Sequence, residues 1–308
     1  MVFERNFYLQ RLVSKKWNGR IKIITGLRRC GKSYFLFKIF KEHLRSNGVS
    51  ADFIVELSLD SIENEHLRDP KELWKFLGKR VSDANKKYYL LLDEIQFAIS
   101  KKELQNHDEP VRLYGVLNGL LQKGNIDIYV TGSDSKMLSH DVATEFRGRG
   151  DILPIYPLSF REFFGAFDGD REAAYETYAI DVGLRNARLG FRDLEETHIM
   201  ENIVYNELKV RGFSVDVGVV PVCENGIDGK RHLKNCEIDF IASKGIKKSY
   251  FQSAYSLNGD EKRNQEIRPL LSVKDFFEKT VITRFGLKPW SDERGVQYIS
   301  LLDFLLSD

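Results

Sequence analysis

Eight consecutive residues near the amino terminus have the composition of a phosphate-binding loop. Positions 26 to 33 read Gly-Leu-Arg-Arg-Cys-Gly-Lys-Ser, the complete G-x-x-x-x-G-K-[ST] pattern. Glycines in such a loop allow backbone amides to turn inward and bind phosphate oxygens. Lys32 would reach the β- and γ-phosphates, and the Ser33 hydroxyl would bind Mg²⁺. The pattern predicts a nucleotide site formed by Gly26, Leu27, Arg28, Arg29, Cys30, Gly31, Lys32, Ser33 and Tyr34.

A second group of residues could supply the metal site and the hydrolytic chemistry. The apolar run at 88–92 ends in two carboxylates, Asp93 and Glu94. Asp93 would hold Mg²⁺ together with Ser33, and Glu94 would polarise the attacking water. We therefore predict Glu94, Lys32 and Asp93 as the catalytic residues.

Further candidates follow the apolar run at 126–131. Thr131, Ser133 or Asp134 could sense the γ-phosphate, or the segment could be a plain Ser/Gly turn. Arg147 and Arg149 flank a glycine in a basic segment. A guanidinium suits phosphate charge, so either arginine could act on a neighbouring subunit's nucleotide, or both could lie in a solvated loop.

The elements that must position these residues alternate between apolar runs and helical patterns. We predict strands at 21–25, 52–59, 88–92, 126–131 and 152–156, with helices between them at 34–44, 70–85 and 110–123. Strands that alternate with helices imply a parallel sheet covered on both faces. The loop, the two acids and Thr131 would then meet at the carboxyl edge of the sheet.

The second half of the chain has a different pattern. A helix is predicted at 194–211, followed by strands at 215–220, 236–242, 249–257, 280–284 and 296–301. A segment rich in glycine and charge, 225–234, is typical of a hairpin loop. The pattern predicts a second α/β or α+β domain.

Composition limits the class of protein. The 308 residues suffice for two domains, and 42% hydrophobic and 30% charged residues are ordinary globular values. A net charge of +2 neither favours nor excludes nucleic acid. There is no signal peptide pattern, and three cysteines form no disulfide framework, so we expect a cytoplasmic protein without membrane contact. Cys223, His232 and Cys236 lack a standard zinc spacing and are interpreted as ordinary loop and strand residues.

Several longer stretches carry a family resemblance. The first half contains ITGLRRCGKS, LLLDEIQ, YVTGSDSKML and RGRGDILPIYPLSFREFF, and the second contains DVGLRNARLG, HIMENIVYNELKVRGF and EIDFIA, in that order. Together they resemble the prokaryotic AAA-type ATPases. The resemblance implies ATP as the nucleotide and an α/β fold. An AAA-type P-loop parallel sheet flanked by helices would precede a smaller α/β domain related to PD-(D/E)xK restriction endonucleases.

The sequence departs from that family in two places. Ser133 and Asp134 would occupy the sensor position, where members more often carry Ser-Asn, and a carboxylate there would repel the γ-phosphate unless paired or protonated. Members also have a long helical stretch where this chain has about twenty residues. A true deletion or residues omitted near 178–180 would both account for this. We predict an ATPase domain at 1–160, a linker at 161–182 lacking the winged-helix segment, and the nuclease-like domain at 183–308.

The nuclease-like domain lacks most of a nuclease site. Asp239 fits the first acidic position, but Gln252 and Ala254 stand where a second acid and a lysine are required. Glu201 and Glu207 on the preceding helix would either add a carboxylate, lie on a solvated face, or form a helical i,i+4 pair such as Glu207 with Arg211. We therefore expect a domain without cleavage activity that is kept as a scaffold.

The combined interpretation is an enzyme that hydrolyses ATP with Mg²⁺ to drive a conformational or assembly change of the second domain. One alternative is an ATP-regulated DNA-binding protein or nuclease, which basic pairs at 28–29, 101–102, 147–149 and 247–248 would permit. Another is a nucleotide-gated scaffold without hydrolysis, against which Glu94 argues. DNA and a second copy of the chain stay open as partners beside ATP.

Overall fold

The computed structural model describes residues 3–100, 102–103, 111–132, 150–188, 195–225, 231–257, 259–286 and 288–307. The chain divides into two compact units. The first comprises Glu4–Pro157, and the second comprises Leu158–Asp308 together with Met1–Phe3.

A five-stranded parallel sheet forms the centre of the first unit. Its strands are β1 (Ile21–Thr25), β2 (Ile54–Ser58), β3 (Tyr88–Asp93), β4 (Ile126–Thr131) and β5 (Gly150–Pro154). The order across the sheet is β2-β3-β4-β1-β5, and every neighbouring pair is parallel. The predicted parallel sheet is therefore confirmed, with all five strands near their predicted positions.

Helices cover both faces of this sheet. They are α1 (Asn6–Val13), α2 (Lys32–Tyr34), α3 (Lys41–Ser46), α4 (Pro70–Arg80) and α5 (Arg112–Leu121); a π-helical segment, Phe35–Phe40, joins α2 to α3, and 3-10 turns lie at Ala51–Phe53, Ile62–Arg68 and Ile95–Ala98. Alternate residues of β3 enter opposite cores: Leu90 and Leu92 pack with α4 and α5, whereas Leu91 packs on the side of α1. Such two-sided burial explains why β3 reads as a continuous apolar run.

The second unit contains a six-stranded mixed sheet. Its strands are β6 (Ser214–Asn225), β7 (Arg231–Lys244), β8 (Lys247–Ala254), β9 (Glu278–Thr283), β10 (Trp290–Ser291) and β11 (Val296–Ser300). The order is β10-β11-β9-β8-β7-β6; β6, β7 and β8 are antiparallel neighbours, whereas β8, β9 and β11 run parallel. The helices of the unit are α6 (Phe160–Phe164), α7 (Arg171–Arg188), α8 (Glu196–Val210), α9 (Asp260–Ser272) and α10 (Leu301–Leu306).

The segment 161–182 differs from the linker expected from the sequence. Ser159 and Glu162 form a capping box that starts α6, and α7 follows after a short connection. Tyr175, Tyr178 and Val182 of α7 are buried in the core of the second unit beside Phe160. Because the segment buries apolar side chains, it is part of the second unit.

Candidate functional site

The loop between β1 and α2 turns through three residues with positive φ angles. Gly26, Arg29 and Gly31 have positive φ angles of 152°, 68° and 92°. A Cβ atom on Gly26 would lie 2.2 Å from the Ile155 carbonyl oxygen, so only glycine fits there. The first amides of the helix that begins at Lys32 have no acceptor within the helix, and they are free to bind an anion.

Lys32 lies inside this loop. Its side chain is buried, and Nζ donates hydrogen bonds to the carbonyl oxygens of Gly26 at 3.0 Å and Leu27 at 3.1 Å. The ammonium group is therefore held over the inner side of the loop, beside the amides that would bind phosphate. Phosphate oxygens could replace these carbonyls as acceptors without a change of backbone fold.

Asp93 is the centre of a hydroxyl cluster at the carboxyl edge of the sheet. Ser33 Oγ donates to Asp93 Oδ1 at 3.0 Å, and Ser58 Oγ lies 3.4 Å from Oδ2. Thr131 Oγ1 also hydrogen-bonds Oδ1. The carboxylate is thus buried, oriented from three elements, and joined to the hydroxyl of the phosphate loop.

Glu94 follows Asp93 in a strained backbone conformation. Its φ of 54° and ψ of 49° are left-handed, which costs a non-glycine residue roughly 1–2 kcal/mol. Its backbone N–H donates to Thr131 Oγ1 at 3.0 Å, and Gln96 Nε2 donates to its carboxylate. The turn at Ile95–Ala98, with Ile95 and Ala98 buried, holds this conformation.

The side chains of Lys32, Ser33 and Asp93 are of the types that bind a nucleoside triphosphate with Mg²⁺. One hydroxyl and one carboxylate, 3.0 Å apart, are the hard oxygen ligands that Mg²⁺ takes, while leaving most positions for water and phosphate. The loop supplies amides and an ammonium group for the phosphates. No group of three His, Cys, Asp or Glu side chains in the described ranges could hold a metal ion by protein ligands alone.

The structure brings most of the predicted nucleotide-site residues together, with different exposures. Leu27, Arg28, Arg29 and Tyr34 have exposed side chains, whereas Cys30 is buried. Ser133, Asp134, Arg147 and Arg149 lie outside the described residues. Their predicted roles therefore stay predictions.

Thr131 and Ser58 have roles that the sequence did not reveal. Thr131 is fully buried and contacts Asp93 and the Glu94 amide. Thr131 thus holds the two acids in position by hydrogen bonds. From the sequence, it was one of three candidates for sensing the γ-phosphate. Ser58 ends β2, whose neighbour is β3, so its position next to Asp93 follows from the strand register.

In the second unit, the structure brings Asp239 and Gln252 together. Gln252 Nε2 donates to Asp239 Oδ1 at 2.9 Å, and the Ser253 amide donates to Oδ2 at 2.7 Å. Burial raises the pKa of Asp239 to about 6, although these two hydrogen bonds lower it. The nearby Glu201 and Glu266 carboxylates raise it further. Gln252 Oε1 is buried and has no hydrogen-bond partner among the described residues. Asp239 therefore takes up a proton at a higher pH than an exposed aspartate does.

Two other second-unit candidates have ordinary contacts. Glu207 is buried and pairs with Arg211 at 2.8 Å, so the expected solvated face is wrong for Glu207 and the helical i,i+4 pair is correct. Cys236 is a free, half-buried thiol. The side chains of Cys223 and His232 lie outside the described part of the chain.

The raised pKa of Asp239 leads to a prediction about stability. An acid whose pKa is raised on folding binds more protons in the folded state, so the free energy of unfolding falls as pH rises from 4 to 6. The loss reaches up to about 3 kcal/mol above pH 6, because each pKa unit corresponds to about 1.4 kcal/mol. Asp239→Asn should remove the loss, since the neutral amide can accept from Ser253 and, after a flip of the Gln252 side-chain amide, donate to Gln252 Oε1.

The measurement is urea unfolding of wild type and Asp239→Asn at pH 4, 6 and 8. The stability difference should favour the variant increasingly with pH and level off above pH 6. Asp216→Asn, an exposed aspartate on strand β6 of the same sheet, is the control for the same change of side chain. A constant difference at all three pH values would contradict the assignment.

None of the helices in the described residues combines the length and apolar composition that a bilayer span requires.

Part of the chain matches a known protein family, and most of the matched residues belong to the first unit. Residues 18–164 match the family model of an AAA domain. A Haemophilus influenzae protein, itself described as uncharacterized, is 30% identical over 227 residues, covering 71% of this chain and 54% of its own. An uncharacterized protein of Methanocaldococcus jannaschii is 35% identical over 149 residues, covering 47% of this chain and 28% of its own. The chain thus spans about half of one relative and about a quarter of the other.

Two solved structures illustrate what this chain is similar to in fold. One is AMPPCP-bound DnaA from Aquifex aeolicus, with 15% identity, a TM-score of 0.37, and coverage of 65% of this chain and 64% of that one. The other is Drosophila ORC bound to AT-rich DNA and Cdc6, with 12% identity, a TM-score of 0.31, and coverage of 74% and 86%. The family match is the stronger finding: residues 18–164 are similar to AAA domains, and the parallel sheet flanked by helices fits that fold.

Proposed function

We propose that this protein binds ATP with Mg²⁺ at the loop 26–33 and hydrolyses it. The proposal rests on one observation above all. The P-loop serine donates directly to the carboxylate that ends strand β3, with Ser33 Oγ and Asp93 Oδ1 3.0 Å apart. A loop that serves only to reverse the chain direction does not need a hydroxyl group hydrogen-bonded to a buried carboxylate. The AAA-domain match over residues 18–164 supports the same activity.

Each side chain would have a distinct part in the reaction. Lys32 and the loop amides would bind the phosphate chain, while Ser33 and Asp93 would hold the metal, Asp93 through water. Bound Mg²⁺ would neutralise charge that develops on the phosphate oxygens. Glu94, held beside Asp93 and oriented by Thr131 and Gln96, would accept a hydrogen bond from the attacking water and polarise it.

Loss of the Lys32 ammonium tests the proposed phosphate site. Lys32→Ala should reduce phosphate release from ATP by at least about a hundredfold, because a charge buried against the phosphates is removed. The measurement is steady-state phosphate release with Mg²⁺. Lys79→Ala, an exposed lysine of α4, is the matched control and should match wild type. Hydrolysis by Lys32→Ala at the wild-type rate would refute the site.

We further propose that nucleotide drives a change in the second unit, which has a restriction-endonuclease-like fold without a cleavage site. The order α8-β6-β7-β8-α9-β9, with antiparallel β6 to β8 and parallel β9, supports such a fold. The contact between neutral Gln252 and Asp239 speaks against metal-dependent cleavage. Scattering profiles that are identical with and without ATP and Mg²⁺ would exclude the conformational part of this proposal.

DNA and self-association are the partner classes that the first experiments should separate. Phosphate release measured with and without duplex DNA would reveal DNA as a cofactor of hydrolysis, and the effect should weaken steeply with salt. Nicking of plasmid DNA that is lost in Asp239→Ala would instead favour the nuclease. We propose a cytoplasmic location, which the free thiols of Cys30 and Cys236 support.

A further inference from the structure

An arginine outside the phosphate-loop motif lies directly beneath the loop. The Arg5 side chain is on the buried side of the loop, and the residue is only 2% exposed. Its NH1 donates to the Cys30 carbonyl at 3.0 Å, and its NH2 donates to the carbonyls of Tyr156 at 2.7 Å and Pro157 at 3.4 Å. The guanidinium also lies over the Tyr8 ring, 4.6 Å from its centroid. One rigid group thus fixes the loop, helix α1 and the end of the first unit.

The hydrogen bond to Cys30 determines where the next amide points. In a trans peptide the C=O and N–H groups face opposite directions. Because the Cys30 carbonyl points inward to Arg5, the N–H of Gly31 in the same peptide points away from the buried side. The side chains of Leu27, Arg28 and Arg29, on the same loop, are exposed. The Gly31 N–H is therefore directed toward the open side, where a phosphate would bind.

The charge of Arg5 strengthens the same effect. A hydrogen bond from an ionised donor polarises the peptide that accepts it, and the polarisation is larger in a dry interior than in water. The polarised Cys30–Gly31 peptide then presents a stronger amide donor to an anion. Gly31 is close enough for this to be local, since a Cβ on Gly31 would lie 3.8 Å from Arg5 NH1.

We propose that Arg5 is a positioning residue of the nucleotide site: it orients and polarises the Cys30–Gly31 peptide so that its amide binds the phosphate chain of the nucleotide. The inference rests on the proposed ATP site. If Arg5 had a purely structural role, its replacement would lower only the stability of the protein. A positioning role predicts in addition a loss of nucleotide affinity. Arg5 acts on nucleotide binding through the Cys30–Gly31 peptide, so turnover at saturating ATP should change little.

The experiment compares Kd for ATP and ADP, KM and kcat in Arg5→Met, Arg5→Lys and a stability-matched control. The control is Tyr89→Phe, which removes the acceptor of the 2.9 Å hydrogen bond from Trp17 Nε1 elsewhere in the same unit. Arg5→Met should raise Kd and KM for ATP about tenfold or more, with kcat within about threefold. Arg5→Lys should recover part of the affinity, because it keeps the charge but reaches fewer carbonyls. Tyr89→Phe should lower the unfolding temperature and leave Kd unchanged.

Each outcome decides between the roles. Unchanged Kd in both arginine variants, or an equal rise of Kd in Tyr89→Phe, would overturn the positioning role while leaving the ATP site intact. If Arg5→Met does not fold, Arg5→Lys decides alone: wild-type Kd and KM would overturn the proposal. Failure of the wild-type protein to bind ATP at all would overturn the nucleotide site itself, and this inference with it.

Discussion

Replacement of Glu94 by glutamine is expected to lower phosphate release from ATP by about a hundredfold or more while ATP affinity stays within about threefold. Glutamine has the same shape and keeps the left-handed turn, but it carries no negative charge to polarise water. The backbone N–H of residue 94 would still donate to Thr131, so Asp93 and its hydroxyl neighbours should stay in place. The variant therefore separates chemistry from binding.

The measurement is single-turnover phosphate release with ATP in the presence of Mg²⁺, paired with a direct binding assay. Glu72→Gln is the control, because Glu72 lies on the exposed face of α4 and pairs only with Lys75 in its own helix among the described contacts. Turnover by Glu94→Gln at the wild-type rate would show that another group activates the water. Loss of binding together with turnover would instead give Glu94 a structural part.

Loss of the Lys22 ammonium is expected to destabilise the first unit by about 3–5 kcal/mol. Lys22 and Asp127 are 0% and 2% exposed and form an ion pair between β1 and β4. Asp127 also accepts from the Trp17 amide at 3.0 Å and the Tyr129 hydroxyl at 2.7 Å. Lys22→Met would leave a buried carboxylate without its counter-charge, and this desolvation penalty is the source of the large effect.

Urea unfolding of the first unit would measure this cost. The double variant Lys22→Met/Asp127→Asn should recover at least about 1 kcal/mol of it, because a neutral amide can still accept from Trp17 and Tyr129. Nucleotide Kd should be unaffected in folded protein, since the pair lies near the amino ends of β1 and β4. Wild-type stability in Lys22→Met would mean that the pair contributes no net free energy.

The part of the site that the sequence predicted is the part that is contiguous in the chain. The loop at 26–33 and the acids at 93–94 each follow a single strand, so pattern and local geometry suffice. Arg5 could not be found this way, because its carbonyl acceptors at Tyr156 and Pro157 are about 150 residues away. Thr131 was expected at the same edge of the sheet as the acids, but its hydrogen bonds to Asp93 and to the Glu94 amide were not predicted. The position of Ser58 depends on the pairing of β2 with β3, which alternation of strands and helices does not specify.

In the second unit, one expectation from the sequence agrees with the structure and another does not. Gln252, which the sequence sets at the second acidic position of a site that begins at Asp239, hydrogen-bonds to Asp239 in the structure. The resemblance led to a linker at 161–182, where the structure has α6 and most of α7. The buried α7 residues Ala174, Tyr175, Tyr178 and Val182 follow helical spacing, and Ser159 with Glu162 is a capping-box pattern. The capping-box pattern and the helical spacing of apolar residues would have predicted α6 and α7 without reference to the family resemblance.

The strand order of the first unit has a consequence for its synthesis on the ribosome. β1 pairs with β4 and β5, and the Lys22 and Asp127 partners are separated by 105 residues. At about 5–20 residues per second, translation needs on the order of 5–20 s to supply the missing neighbour. During that interval Ile21, Ile23 and Ile24 are exposed in the nascent chain, whereas β2 and β3 can already pair. The phosphate loop is thus translated early but gains its two flanking strands only after residues 126–154 have left the ribosome.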